Sequence, residues 1–166
     1  LKLWYDEPAE FFEESLVLGN GKMGASVFGG VAQDKIYLND ITLWSGEPVD
    51  PYMNPDAHTH VAEIREALSN EDYQLADQLQ RKLQGKFSES YAPLGTMFIN
   101  HNHGDTAQKY YRELNISEAT SKVEYEISGV KFTREYFVSH PDQIMAIKLT
   151  SSQPGKLSFD IGFESL

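Results

Sequence analysis

Three features of the sequence predict a mainly β chain, folded as an antiparallel β-sandwich. Apolar and polar residues alternate in runs of strand length, Gly and Pro turns separate the runs, and aromatics reach 12% of the 166 residues. A helical pair around residues 55–85 interrupts the pattern. Hydrophobic residues at 40% and charged residues at 23% are ordinary for a folded domain, which argues against disorder.

After a mixed start over Leu1–Glu14, Leu16-Val17-Leu18 leads into Gly19-Asn20-Gly21-Lys22-Met23-Gly24. Ala25–Val31 and Lys35–Leu38 read as short strands joined by a polar turn, Ala32-Gln33-Asp34. A loop then carries Trp44-Ser45-Gly46, Pro48 and Pro51. Asn54 is placed to cap a helix whose first position is Pro55, where a missing N–H costs nothing. Ala57, Val61, Ile64 and Leu68 then share one face. Asn70 is placed to cap a second helix, with Leu75, Ala76, Leu79 and Leu83 on one face and Gly85 at its end. Strands resume at Gly95–Asn100 and Tyr111–Ile116. Ser121–Ile127 and Val130–Val138 flank Ser128-Gly129, a two-residue hairpin turn. Ile144–Thr150, a turn at Pro154-Gly155 and Lys156–Phe163 complete a meander suited to a sandwich, with the helical pair as an insertion covering part of a sheet.

The net charge of −11 repels phosphate backbones and anionic lipid, so nucleic acid and membrane surfaces are not expected partners. A neutral ligand such as a sugar is compatible with it. No cysteine is present, which removes disulfide and thiol chemistry. No apolar run approaches the roughly 18 residues of a membrane span. The chain starts at Leu1 without a Met and stops three residues after a strand-like run, so a fragment of a longer protein is expected.

Several motifs suggest chemistry and then lose it. Gly19-x-Gly21-x-x-Gly24 matches a dinucleotide fingerprint, but that mechanism needs a helix to start there, and Ala25-Ser26-Val27-Phe28 is strand-like. A tight turn is the better reading, and no cofactor is assigned. His58 and His60, two apart on a helix, diverge by about 200°. His101 and His103 would share a strand face near Asp105, yet no third distant ligand is evident, and no metal is assigned. Glycosidic cleavage needs two opposed carboxyl groups, and nothing in the sequence selects a pair from 25 acidic residues. Leu38–Gly46 is the segment best suited to a sugar: Asn39, Asp40, Thr42 and Ser45 can hold hydroxyls, and the Trp44 indole offers an apolar face to a pyranose. The competing reading is an Asx turn at Asn39-Asp40 with Trp44 filling the core beneath.

The same segments resemble a family. Leu18–Gly24 followed by Phe28-Gly29-Gly30, then Leu38-Asn39-Asp40 with Thr42-Leu43-Trp44-Ser45-Gly46, are similar to the opening of glycoside hydrolase family 95, here with Asp40 in place of the usual Glu. Asn54-Pro55, Tyr91-x-Pro93-Leu94-Gly95, Tyr111-Arg112-x-Leu114, Arg134-Glu135-x-Phe137, Ser139-His140-Pro141-Asp142 and Pro154-Gly155-x-Leu157-Ser158-Phe159 continue in order. Residues 97–110, with His101-Asn102-His103-Gly104-Asp105, depart most from the pattern.

The resemblance covers the whole chain, extends to the N-terminal domains of family 65, and implies a sandwich of the super-sandwich type. It makes residues 1–166 a single N-terminal domain ahead of an absent (α/α)6-barrel catalytic domain. It implies inverting hydrolysis of terminal α-L-fucosides, without metal or organic cofactor, by residues beyond Leu166. No catalytic role falls on this chain. The expected partners are the catalytic domain and a carbohydrate substrate. Asn39, Asp40, Thr42, Trp44 and Ser45 become the expected rim of the substrate pocket. A periplasmic or secreted location is implied, as is an exposed apolar patch where the catalytic domain docks. The alternative is a non-catalytic carbohydrate-binding or structural sandwich module.

Overall fold

A computed structural model describes residues 1–45, 48–86 and 90–165. In chain order its strands are β1 (Lys2–Tyr5), β2 (Leu16–Gly19), β3 (Met23–Val27), β4 (Gln33–Asp40) and β5 (Gly95–His101). There follow β6 (Gln108–Asn115), β7 (Thr120–Ile127), β8 (Val130–Ser139), β9 (Ile144–Ser151) and β10 (Phe159–Glu164). They form two antiparallel five-stranded sheets, ordered β1-β6-β7-β8-β9 and β10-β5-β4-β3-β2. The predicted sandwich is what the chain adopts.

The chain divides into two compact bodies. Residues 1–43 and 92–166 make the sandwich; residues 44–91 make a helical body with α1 (Val61–Ser69) and α2 (Tyr73–Gln80).

Alternation builds the sandwich core. Leu16 and Leu18, Ala25 and Val27, Ile36, and Met97 and Ile99 point inward from one sheet. Val123, Tyr125, Phe132 and Tyr136 meet them from the other. The β7–β8 hairpin turns on Ser128-Gly129 as expected, with φ of 51° and 74°, the two positive values a type I′ turn requires.

A polar network runs through this core. Asp34 and Arg134 are 0% and 1% exposed, 3.5 Å apart. Asp34 also accepts from the Tyr136 hydroxyl (2.5 Å) and the Gly29 amide (2.8 Å). The Arg134 guanidinium donates to the carbonyls of Gly30 (2.7 Å) and Gly29 (3.3 Å), and Tyr110 donates to Gly29 as well (2.7 Å). Gly29 has φ of 76°, and a Cβ there would lie 2.6 Å from the Tyr110 hydroxyl, so the bend needs glycine. These bonds to Asp34 and to the Arg134 terminal nitrogens make a buried ion pair tolerable, although the buried Arg134 Nε has no hydrogen-bond partner among the described residues.

Five expectations need correction. Asp34 is not in a turn; the chain bends at 28–32, and Asp34 lies inside β4. Leu1–Glu14 contains β1, an edge strand paired with β6. Asn54 does not cap α1, which is preceded by a 3-10 turn over Ala57–His60; its side chain donates instead to the carbonyls of Lys82 and Gln84. Asn70 ends α1, and Asp72 caps α2 by accepting from the Leu75 amide at 3.0 Å. The helical faces also shift: Ile64, Ala67 and Ala76 are buried, whereas Leu68 and Leu75 are exposed.

Candidate functional site

In the sandwich body, Asn39 lies opposite Gly24 and Asp40 opposite Met23 at the end of β4. The chain leaves the strand through an Asx turn: Asp40 Oδ1 accepts from the Thr42 hydroxyl (2.6 Å) and amide (2.9 Å). These bonds, the hydroxyl first, hold the Asp40 carboxyl below the usual carboxylate range. Asp40 and Thr42 are therefore brought together. Asn39 instead lines a cleft of about 310 Å³ between the sheets, whose other walls include Met23, Leu38, Met97, Met145 and Ile147.

The helical body carries the other two expected rim residues. Trp44 forms an isolated antiparallel bridge with Tyr91, and their rings meet edge to face at 5.2 Å and 63°. The Ser45 amide donates to the Ser90 carbonyl (2.9 Å), and the Ser90 amide donates to the Ser45 hydroxyl (3.0 Å). The reading in which Trp44 fills a core fails, because the residue is 56% exposed. Tyr91 joins the set as a residue that sequence reasoning did not place there; its signal was the Tyr91-x-Pro93-Leu94-Gly95 motif. Gly46, which follows Trp44-Ser45 in the sequence, lies outside the described residues.

The remaining motifs resolve locally. Gly19–Gly24 is a turn between β2 and β3, where the Asn20 side chain accepts from the amides of Lys22 and Met23 and donates to the Ser139 carbonyl. His58 and His60 bond separately, to the Pro55 carbonyl and to Glu63. His101 and His103 stack with centroids 5.0 Å apart and planes 3° from parallel. His101 Nε2 accepts from Arg134 at 3.2 Å, and His103 bridges the Gly104 carbonyl and the Tyr125 hydroxyl. Among the described residues, no group of three or more His, Asp or Glu is placed to hold a metal. No described helix is long and apolar enough to cross a membrane.

A second surface lies on the outer face of the first sheet. The Trp4 indole stacks beside the Tyr111 ring, with centroids 6.3 Å apart and planes at 22°. Glu113 accepts from both Lys2 ammonium contacts (2.8 Å) and from the Tyr111 hydroxyl (2.6 Å). Those bonds hold the Glu113 carboxyl low, Lys2 first, and push the Tyr111 hydroxyl up to about 12. Lys148 pairs with Glu135, Lys109 with Glu126, and Lys122 and Lys131 with Glu124.

Comparison with known proteins agrees with this architecture. Residues 3–166 match the family described as glycosyl hydrolase family 65, N-terminal domain. The chain is 36% identical to "Alpha-L-fucosidase 2" of Arabidopsis thaliana over 168 residues, covering 99% of this chain and 20% of that protein. It is 27% identical to "Probable alpha-fucosidase A" of Aspergillus oryzae, covering 90% of this chain and 22% of that protein. The corresponding protein of Aspergillus niger is 25% identical, with 90% and 20% covered. The chain thus spans about a fifth of the length of the curated relatives it matches. Its sandwich, its ordered motifs and a match running nearly end to end lead to one assignment: the chain belongs to the family described as glycosyl hydrolase family 65, N-terminal domain.

Proposed function

We propose that this chain is the accessory sandwich of a longer glycoside hydrolase, and that the parent protein removes terminal α-L-fucose from glycans with inversion. The observation that carries the reading is the agreement of nearly the whole chain with about a fifth of an α-L-fucosidase. Inversion requires an acid, a base and a water, so neither metal nor organic cofactor is called for. Both carboxyl groups are assigned to the remaining part of the parent, and none to residues 1–166. Export to the periplasm or beyond the cell fits a substrate of this kind.

The sandwich's part is to pack on the catalytic domain and shape one side of its pocket. Two features support this. The inward-facing side chains of β10, Ile161 and Phe163, are 54% and 70% exposed, an apolar surface suited to cover by another segment. Within the helical body, Trp44 presents an exposed indole beside Tyr91, a face suited to a sugar ring. Trp44→Ala in the parent is expected to raise KM for an α-L-fucoside about tenfold, with the melting transition kept. An unchanged KM together with a lost transition would make Trp44 a packing residue. The parent assayed on an aryl α-L-fucoside tests the activity itself, and absence of fucose release rules it out. The alternative, a non-catalytic carbohydrate-binding module, draws on the exposed indoles. It predicts saturable sugar binding by residues 1–166 alone and no hydrolysis by the parent.

A further inference from the structure

We propose that the outer face of the first sheet, centred on Trp4, is a second binding surface for neutral oligosaccharide. This inference rests on the reading of the parent as a glycan-acting enzyme.

Several aromatic rings of the sandwich body lie beneath cations. Lys35 lies 3.9 Å over Phe28 and 5.1 Å over Tyr37, and the Arg112 guanidinium lies 4.1 Å over Tyr5. Trp4 differs. It is 61% exposed, its ring is steadied from the side by Tyr111, and among the described residues no cation lies over it. An indole fixed in this way and open to solvent is an amphipathic platform of the kind that takes the C–H face of a sugar ring.

The ground beside Trp4 suits hydroxyl groups. A shallow depression of about 700 Å³ crosses β6 to β9, lined in part by Glu113, Lys122, Glu135, Phe137 and Lys148. Its floor follows strands that lie about 4.8 Å apart, so donors and acceptors recur at regular intervals. The lysines and glutamates on this face are joined in the ion pairs described above, within a chain of net charge −11. Pairing leaves little net field to attract an ion. A lysine ammonium with three N–H groups and a carboxylate with several lone pairs still have capacity for a neutral hydroxyl, which both donates and accepts. A nucleic acid or an acidic peptide gains nothing here, whereas an uncharged glycan chain does.

The test uses the parent protein and two probes. One is an oligosaccharide ending in α-L-fucose; the other is the same oligosaccharide without the fucose, which offers no scissile α-L-fucoside. Wild type is expected to bind the defucosylated probe saturably. Trp4→Ala is expected to weaken that binding at least tenfold, while kcat/KM on a small aryl α-L-fucoside stays within twofold. Lys148→Ala, at a position with its side chain 71% exposed, provides a variant safe for folding and is expected to weaken binding several-fold. Unchanged binding in Lys148→Ala and in a folded Trp4→Ala would overturn the proposal. So would a Trp4→Ala protein that melts earlier yet binds as wild type, which would make Trp4 a packing residue. Trp4-dependent binding in a parent that releases no fucose would uphold the surface while removing the proposed activity.

Discussion

Strands β8 and β10 follow the same alternation rule and end in opposite states. On β8, the inward residues Phe132, Arg134 and Tyr136 are 4%, 1% and 0% exposed. On β10, Phe159, Ile161 and Phe163 pair with the inward His101, Ile99 and Met97, yet are 39%, 54% and 70% exposed. A guanidinium is thus better hidden than a phenylalanine. Alternation decides which side of a sheet a residue faces, but burial depends on what lies across from it. Residues of β2, β3 and β4 share one core with β8, whereas β10 is an edge strand whose inner face is open.

The contrast can be broken most severely at Arg134. Arg134→Ala strands Asp34 as an unpaired buried carboxylate and is expected to cost about 3–5 kcal/mol in urea unfolding. A loss below about 1 kcal/mol would show that the network adds little. A smaller effect is expected from acid. Burial first, then the Arg134 charge and neighbouring His103, holds His101 down to about 4 from its ordinary 6.5. Between those values the unfolded chain takes up a proton that the folded chain refuses, so stability falls as pH falls through that window. The slope from this group is at most about 1.4 kcal/mol per pH unit. His101→Gln should flatten the stability curve from pH 6.5 to 4 relative to wild type; parallel curves would contradict the assignment. The smallest effect sharpens the comparison: Phe163→Ala in residues 1–166 should change stability by no more than about 0.5 kcal/mol. In the parent, where β10 is proposed to be covered, the same change should cost about 3 kcal/mol.

Much of the sandwich was legible in the sequence because its signals are local. Ser128-Gly129 between two alternating runs specifies its hairpin, and each inner strand declares its face by period two. The errors came where the deciding partner is remote. Asp34 read as a turn because a lone aspartate in a strand is costly; its justification, Arg134 and Tyr136, lies about a hundred residues on. β1 was missed because all four of its residues are exposed and its partner is β6. Asn70 resembled a helix cap, but the residue that accepts from the third helical amide is Asp72. At the candidate rim, the Asx turn at Asp40 was readable from Asp40-x-Thr42, since the bond spans two residues. The Trp44–Tyr91 pair was not, because the helical body separates the two in sequence.

Hydrogen exchange tests most directly the claim that this chain is one part of a larger enzyme. Amides of Phe159–Glu164 and Phe132–Tyr136 would be followed side by side, in residues 1–166 alone and in the parent. The account predicts slow exchange for the β8 amides in both, with the β10 amides fast in the isolated chain and strongly protected in the parent. Equal exchange of β10 in the two proteins would contradict it, since nothing in the parent would then cover the face that this sandwich leaves open.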